Sequence, residues 1–215
     1  MQTKVRKKST LIRDALALFI ITLISGLALS YIYELTKAPI EEQARIKKEK
    51  AFKAVFAEAA LFETDEELIG KAASADLTAY SPDYNGIAIS EISKALDSGG
   101  ELIGYDITVT TKQSYKDSIT LVFGYSLDGE IKGIQIMTIS ETAGLGMNAS
   151  KPEWLGQFIN KKVDRFVVTK TGANAADQID ALSGATITSK AVVNAINAGI
   201  SFIKDASPAL KGGAN

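Results

Sequence analysis

An unbroken apolar run from Ala15 to Tyr33 constrains this chain more than any other feature. These nineteen residues carry no charge and are rich in Leu, Ile and Ala. As a helix they reach about 28 Å, close to the thickness of a bilayer core. Lys4, Arg6, Lys7, Lys8 and Arg13 precede the run, against Asp14 alone. That asymmetry places the N-terminal tail in the cytoplasm and the chain beyond about residue 35 outside. Tyr31 and Tyr33 fall where an interfacial aromatic belt belongs. A cleaved signal peptide is the rival reading, with Ala28-Leu29-Ser30 as a small-residue site. The run is longer than a usual signal core and continues into bulky residues, which favours a retained anchor. A buried core helix is the third reading, and the one-sided charge cluster speaks against it.

The expected organisation is a basic tail (1–14), a transmembrane helix (15–35), an outer domain (36–206) and a flexible tail (207–215). The chain has no Cys and no His. Disulfides, thiol nucleophiles, iron–sulfur ligation and Ser-His-Asp catalysis are thereby excluded. Redox chemistry in such a chain falls to an organic cofactor. Beyond residue 14 there are 19 basic and 24 acidic residues, a net charge of −5. A mildly acidic domain argues against nucleic acid as a partner.

Pro39, followed by Glu41 and Glu42, reads as a helix start. Ala51, Phe52, Val55, Phe56 and Ala59 share one helical face. Residues 62–86 give no clear pattern, and Ile89, Ile92 and Leu96 suggest a short helix or irregular segment. Strands are expected at Leu102 to Thr111, Ile119 to Tyr125 and Ile131 to Ile139, with Asp128-Gly129 as a hairpin turn. A further strand is expected at Arg165 to Thr169. A last helix runs from Thr188 or Ser189 to Asp205, with Val192, Val193, Ile196, Ile200 and Ile203 as its apolar stripe. The fold class is α+β: one N-terminal transmembrane helix, then a twisted, mainly antiparallel sheet with flanking helices.

Two segments carry candidate chemistry. Asp180-Ala181-Leu182-Ser183-Gly184-Ala185-Thr186-Ile187-Thr188-Ser189 puts a small, open turn before the last helix. A helix start offers unpaired N–H groups and a positive dipole end, which favour a phosphate. Gly184 and Ala185 permit close approach, and one of the hydroxyls could ligate or bond a phosphate. The plain alternative is an ordinary N-cap. Glu141-Thr142-Ala143-Gly144-Leu145-Gly146 follows the third strand. Leu145 could lie on one face of a flat ring while Thr142 and backbone N–H groups meet its polar edge. The alternative is a simple Gly-rich loop.

These motifs resemble a known family. Asp-x-x-Ser-Gly-Ala-Thr is similar to the flavinylation motif of the FMN-binding subunits of Rnf and Nqr respiratory complexes. Glu141 to Gly146 resembles the Glu-Thr-Pro-Gly-Leu-Gly of the same subunits, with Ala143 where the family usually has Pro. Leu35-Thr36-Lys37-Ala38-Pro39-Ile40 is similar to their junction after the anchor. The motifs occur in family order across nearly the whole chain, and the length favours the Rnf G type. The resemblance implies an FMN-binding domain with FMN joined by a phosphoester to Thr186. It implies a phosphate cradle of Ser183, Gly184, Ala185, Thr188 and Ser189, and ring contacts from Glu141, Thr142, Gly144, Leu145 and Gly146. It implies a maturing flavin transferase that uses FAD and reads Asp180. The other implied partners are the Rnf membrane complex subunits and the membrane. The implied function is electron transfer in a ferredoxin:NAD oxidoreductase that moves Na+ or H+. No catalytic acid, base, nucleophile or metal site is expected. An extracytoplasmic flavin-binding sensor or a scaffold protein is the competing class. A sensor would need a cytoplasmic output that a fourteen-residue tail cannot fold into.

Overall fold

The strands expected between Leu102 and Ile139 are present, and two more precede them in the same sheet. The computed structural model describes residues 11–211, so most of the basic tail and residues 212–215 lie outside the described residues. The chain divides into two compact units, residues 1–48 and 49–215. Within the first, helix α1 (Leu11–Val55) exposes its apolar side chains, including Leu16, Phe19, Ile24 and Leu27. Its most apolar stretch has a mean hydropathy of 2.3, long and apolar enough to cross a membrane. Pro39 does not start a helix, as its neighbours suggested, but lies inside α1. It removes one backbone hydrogen bond, and good helix formers on either side carry the helix through.

The second unit starts at Glu49, because residues 36–48 are still helix with little packed against them. A five-stranded antiparallel sheet forms its centre, in the order β1 (Leu61–Thr64), β2 (Ile87–Leu96), β3 (Leu102–Thr111), β4 (Ile119–Ser126), β5 (Ile131–Thr138). Gly129 supplies the positive φ (84°) that closes the β4–β5 hairpin. Residues 62–86, unreadable in sequence, hold helix α2 (Glu66–Ser74) and two short 3-10 turns. Asp65 caps α2 by accepting the Leu68 N–H at 3.0 Å.

Alternation along the strands makes two covered faces. Ile107 and Val109 of β3, with Leu121 and Phe123 of β4, pack under the long C-terminal helix through Val192, Ile196 and Ile200. The opposite face receives the last turn of α1, where Ala51, Phe52 and Val55 meet Val122. Gly124 and Gly133 make that contact possible. A Cβ on Gly124 would stand 2.5 Å from the Val55 carbonyl oxygen, and one on Gly133 2.6 Å from the Val55 Cα.

After β5 the chain forms short helix α3 (Pro152–Leu155) and a small parallel pair, β6 (Val167–Thr169) with β7 (Gln178–Asp180). The segment at Arg165 to Thr169 is thus a three-residue strand outside the main sheet. Helix α4 (Thr186–Ala206) is the long C-terminal helix. The domain also continues past residue 206, where a flexible tail was expected. Ser207 is fully buried and donates its hydroxyl hydrogen bond to Tyr105 (2.8 Å). Helix α5 (Pro208–Lys211) comes last, and Leu210 packs against the core.

Candidate functional site

Helix α4 begins two residues earlier than its pattern suggested, and this defines the site. Thr186 is its first residue and Ala185 its N-cap, with no side-chain cap. The ordinary capping role for these hydroxyls is therefore absent. The N–H groups of Thr186, Ile187 and Thr188 have no intrahelical acceptor by helix geometry, and the dipole adds positive potential there. Ahead of the helix, Leu182-Ser183-Gly184-Ala185 forms a turn closed by the Ala185 N–H on the Leu182 carbonyl (3.0 Å). Gly184 sits at φ 71° in its third position, a left-handed angle that glycine adopts readily.

A cleft of about 550 Å³ opens against this helix start. Of the expected site residues, Glu141, Thr142, Leu145, Gly146, Gly184, Ala185, Thr186 and Thr188 line it. Tyr115 and Ile187 line it too, although neither carries a sequence expectation. Both are exposed apolar side chains, 68% and 54% accessible, which in a sequence look like ordinary surface residues. Ile187 had one available signal: it lies between two hydroxyl residues in a turn already singled out.

A single carboxylate joins the walls. Glu141 is buried, and its Oε1 accepts the Tyr115 backbone N–H (2.8 Å) and the Thr188 hydroxyl (3.2 Å). The loop between β3 and β4, the segment after β5 and the first turn of α4 thus meet on one atom. Gly146 is required sterically: a Cβ there would lie 2.8 Å from both Thr188 Oγ1 and Glu141 Cβ. Leu145 crosses to the other wall, where a Cβ on Gly184 would come within 2.9 Å of its Cδ2.

Four expected site residues stand elsewhere. Ser189 is fully buried; its hydroxyl accepts the Leu182 N–H (2.9 Å) and donates to the Ala185 carbonyl (3.0 Å). It is a staple of the turn and lies outside the cleft lining. Ser183 is exposed on the turn, outside the cleft lining. Gly144, at φ 78°, shapes the loop without lining the cleft, and Asn148 Nδ2 donates to its carbonyl (2.8 Å). Asp180 ends β7, half-buried and outside the cleft lining.

The residues present fit a flavin mononucleotide. The cleft volume is in the range of small-ligand sites. An uncapped helix start suits the phosphate. Leu145, Ile187 and Tyr115 supply apolar surface for a flat ring system.

Comparison with known proteins agrees with this geometry. The FMN-binding domain family matches residues 114–201, and the RnfG N-terminal region matches residues 1–55. The G subunit of the ion-translocating oxidoreductase complex of Methanosarcina acetivorans is 31% identical, over 86% of this chain and 89% of that protein. The G subunit of the Na(+)-translocating ferredoxin:NAD(+) oxidoreductase complex of Acetobacterium woodii is also 31% identical, over 89% of this chain and 91% of its own length. The C subunit of the Na(+)-translocating NADH-quinone reductase from Parabacteroides distasonis shares the fold, with a TM-score of 0.53 and 19% identity over 76% of this chain and 93% of that one. With two such relatives matched along most of their length, the chain belongs to the G subunits of the ion-translocating oxidoreductase (Rnf) complexes.

Proposed function

We propose that this chain is a membrane-anchored electron-transfer subunit carrying FMN through a phosphoester to Thr186, within a ferredoxin:NAD oxidoreductase complex coupled to Na+ or H+ translocation. The observation that carries the proposal is the position of Thr186. It is the first residue of a helix that no side chain caps, at the wall of a cleft lined by apolar residues. Its Oγ therefore stands beside the backbone donors that a phosphate needs.

Attachment is the work of a flavin transferase that uses FAD. Thr186 Oγ forms a bond to the flavin-side phosphorus, the pyrophosphate bond breaks, AMP departs and the hydroxyl proton is released. Asp180 is a recognition residue for that enzyme. Bound FMN supplies one- and two-electron chemistry, a fitting agent for a chain without Cys or His. The protein's share is orientation. The N–H groups at Thr186 to Thr188 hold phosphate charge, Leu145 and Tyr115 offer apolar surface to the ring, and Glu141 keeps the three walls together.

Residues 15–35 cross the membrane, with the basic tail cytoplasmic and the flavin domain on the outer face. Covalent attachment there prevents loss of a cofactor that would otherwise diffuse away. One transmembrane helix encloses no ion path, so ion movement belongs to the other Rnf subunits.

The test is coexpression with a flavin transferase, then a denaturing gel under ultraviolet light and mass spectrometry of the peptide between Lys170 and Lys190. A fluorescent band and an FMN-sized increment on Thr186, both lost in Thr186→Ala while the domain stays folded, are expected. A dark band in the presence of a transferase active on a control substrate, or covalent flavin retained in Thr186→Ala, refutes the proposal.

A further inference from the structure

Asp180 is held in an unusual way. β7 is three residues long and pairs only with β6, so the outer edge at Asp180 has no strand partner among the described residues. Two side chains from one segment take the place of that strand. Gln157 Oε1 accepts the Asp180 N–H at 2.7 Å, and Trp154 Nε1 donates to the Asp180 carbonyl at 2.7 Å. Trp154 is buried and packs edge-on against Phe158, with centroids 5.5 Å apart. Phe158 packs in the same way on Phe166 (5.1 Å). The donor thus sits on a rigid aromatic stack.

The clamp begins a continuous chain of restraints. The Ala181 N–H donates to the Thr169 carbonyl (2.8 Å) and the Leu182 N–H to Ser189 Oγ. The turn then closes on Ala185 and delivers Thr186. The Asp180 carboxylate itself makes no hydrogen bond or ion pair among the described residues and is half exposed. Neither Gln157 nor Trp154 lines the cleft. They act on the backbone of the loading segment and not on the ring.

We infer that Gln157 and Trp154 are positioning residues for flavin loading: they fix the backbone from which Asp180 and Thr186 are presented to the transferase. The inference rests on the covalent-FMN reading above. Loading then depends on two residues outside both the Asp-x-x-Ser-Gly-Ala-Thr motif and the cleft. Loss of either bond loosens an edge whose amide or carbonyl then has no partner. The separation between the recognised carboxylate and the acceptor hydroxyl becomes variable, and transfer slows.

The experiment measures covalent flavin incorporation over time into the full-length chain in detergent, using purified transferase and FAD. Gln157→Met keeps side-chain size and loses the acceptor; Gln157→Glu keeps the acceptor. Trp154→Phe keeps aromatic packing and loses the donor. Thermal unfolding of each unloaded protein is recorded beside the rates. Expected are a fall of about tenfold in kcat/KM for Gln157→Met and for Trp154→Phe, the factor one lost hydrogen bond supplies. Gln157→Glu should load severalfold faster than Gln157→Met. Flavin absorption after exhaustive loading should match the parent protein. Loading of Gln157→Met at the parent rate, equal slowness of the Glu and Met variants, or a loss accounted for by unfolded protein overturns the inference. Failure of the parent chain to load, or loading of Thr186→Ala, instead removes the covalent-FMN reading beneath it.

Discussion

The native chain should lose stability between pH 5 and pH 7, and replacing Asp106 by Asn should abolish that dependence. Asp106 lies on β3, opposite Ser93 of β2 and Gly124 of β4, and is 1% exposed. A Cβ on Gly124, its register partner on β4, would stand 2.5 Å from the Val55 carbonyl oxygen. Neither carboxyl oxygen has a hydrogen-bond partner. Burial first, and the charge of Glu91 second, push its pKa up to about 8. In the unfolded chain the same group titrates at about 3.9. The folded state therefore binds more protons than the unfolded state throughout that window, and stability falls as pH rises. From pH 5 to pH 7 the loss from this one group is about 2–3 kcal/mol. Asp65, Asp76 and Asp164 have lowered pKa values, so they act in the opposite direction and below the window. Lys94, Lys132 and Lys204, with raised values, titrate well above it. The assay is denaturant unfolding of the full chain in detergent at pH 5 and pH 7, followed by the fluorescence of Trp154, the sole tryptophan and a buried one. The native chain should be less stable at pH 7 by the stated amount, and Asp106→Asn should be level. The same slope in both proteins, or a native chain more stable at pH 7, would refute the reasoning.

Three further outcomes are expected. Gly133→Ala should lower stability by about 1–3 kcal/mol, because its Cβ would displace the Val55 backbone; an unchanged melting temperature would show that α1 does not approach so closely. Gly146→Ala should impair flavin loading far more than thermal stability, since the methyl intrudes between Glu141 and Thr188 at the cleft wall; parent-level loading in the gel assay would contradict this. Ser189→Ala should destabilise the domain by about 1–3 kcal/mol, as the Leu182 N–H loses its acceptor. A melting temperature equal to that of the parent would return Ser189 to a role at the surface of the site.

Local patterns reveal structure where the forces are local. The uncharged run from Ala15 to Tyr33, the alternation from Leu102 to Ile139 and the Asp128-Gly129 hairpin each depend on neighbouring residues. The failure at β2 has a definite cause. A bulge between Ile89 and Glu91 inserts one residue, so buried Ile89 and Ile92 stand three apart. That spacing imitates a helix and hides the strand. At the turn before α4 the motif is visible in sequence, but its hydroxyls are not distinguishable there. Ser189 and Thr188 differ in role because one faces back to Leu182 and the other faces Glu141, 47 residues away.

The amino-acid order by itself therefore determined the long apolar helix, the α+β class, the family and the two motifs. These rest on hydrophobic period, turn chemistry and short strings of residue types. Only the tertiary structure decided which motif residues share a cleft, which hydroxyls are already occupied, that Tyr115 lines the cleft, and that Trp154 and Gln157 bond the Asp180 backbone. Those outcomes depend on hydrogen bonds and close approaches between segments far apart in the chain. A side chain's remaining bonding capacity is known only once its neighbours are. The buried, unpartnered carboxyl of Asp106 belongs to the same class: in sequence it is one more polar residue in an alternating strand, and only its burial in the folded sheet, with the charge of Glu91 beside it, pushes its pKa up.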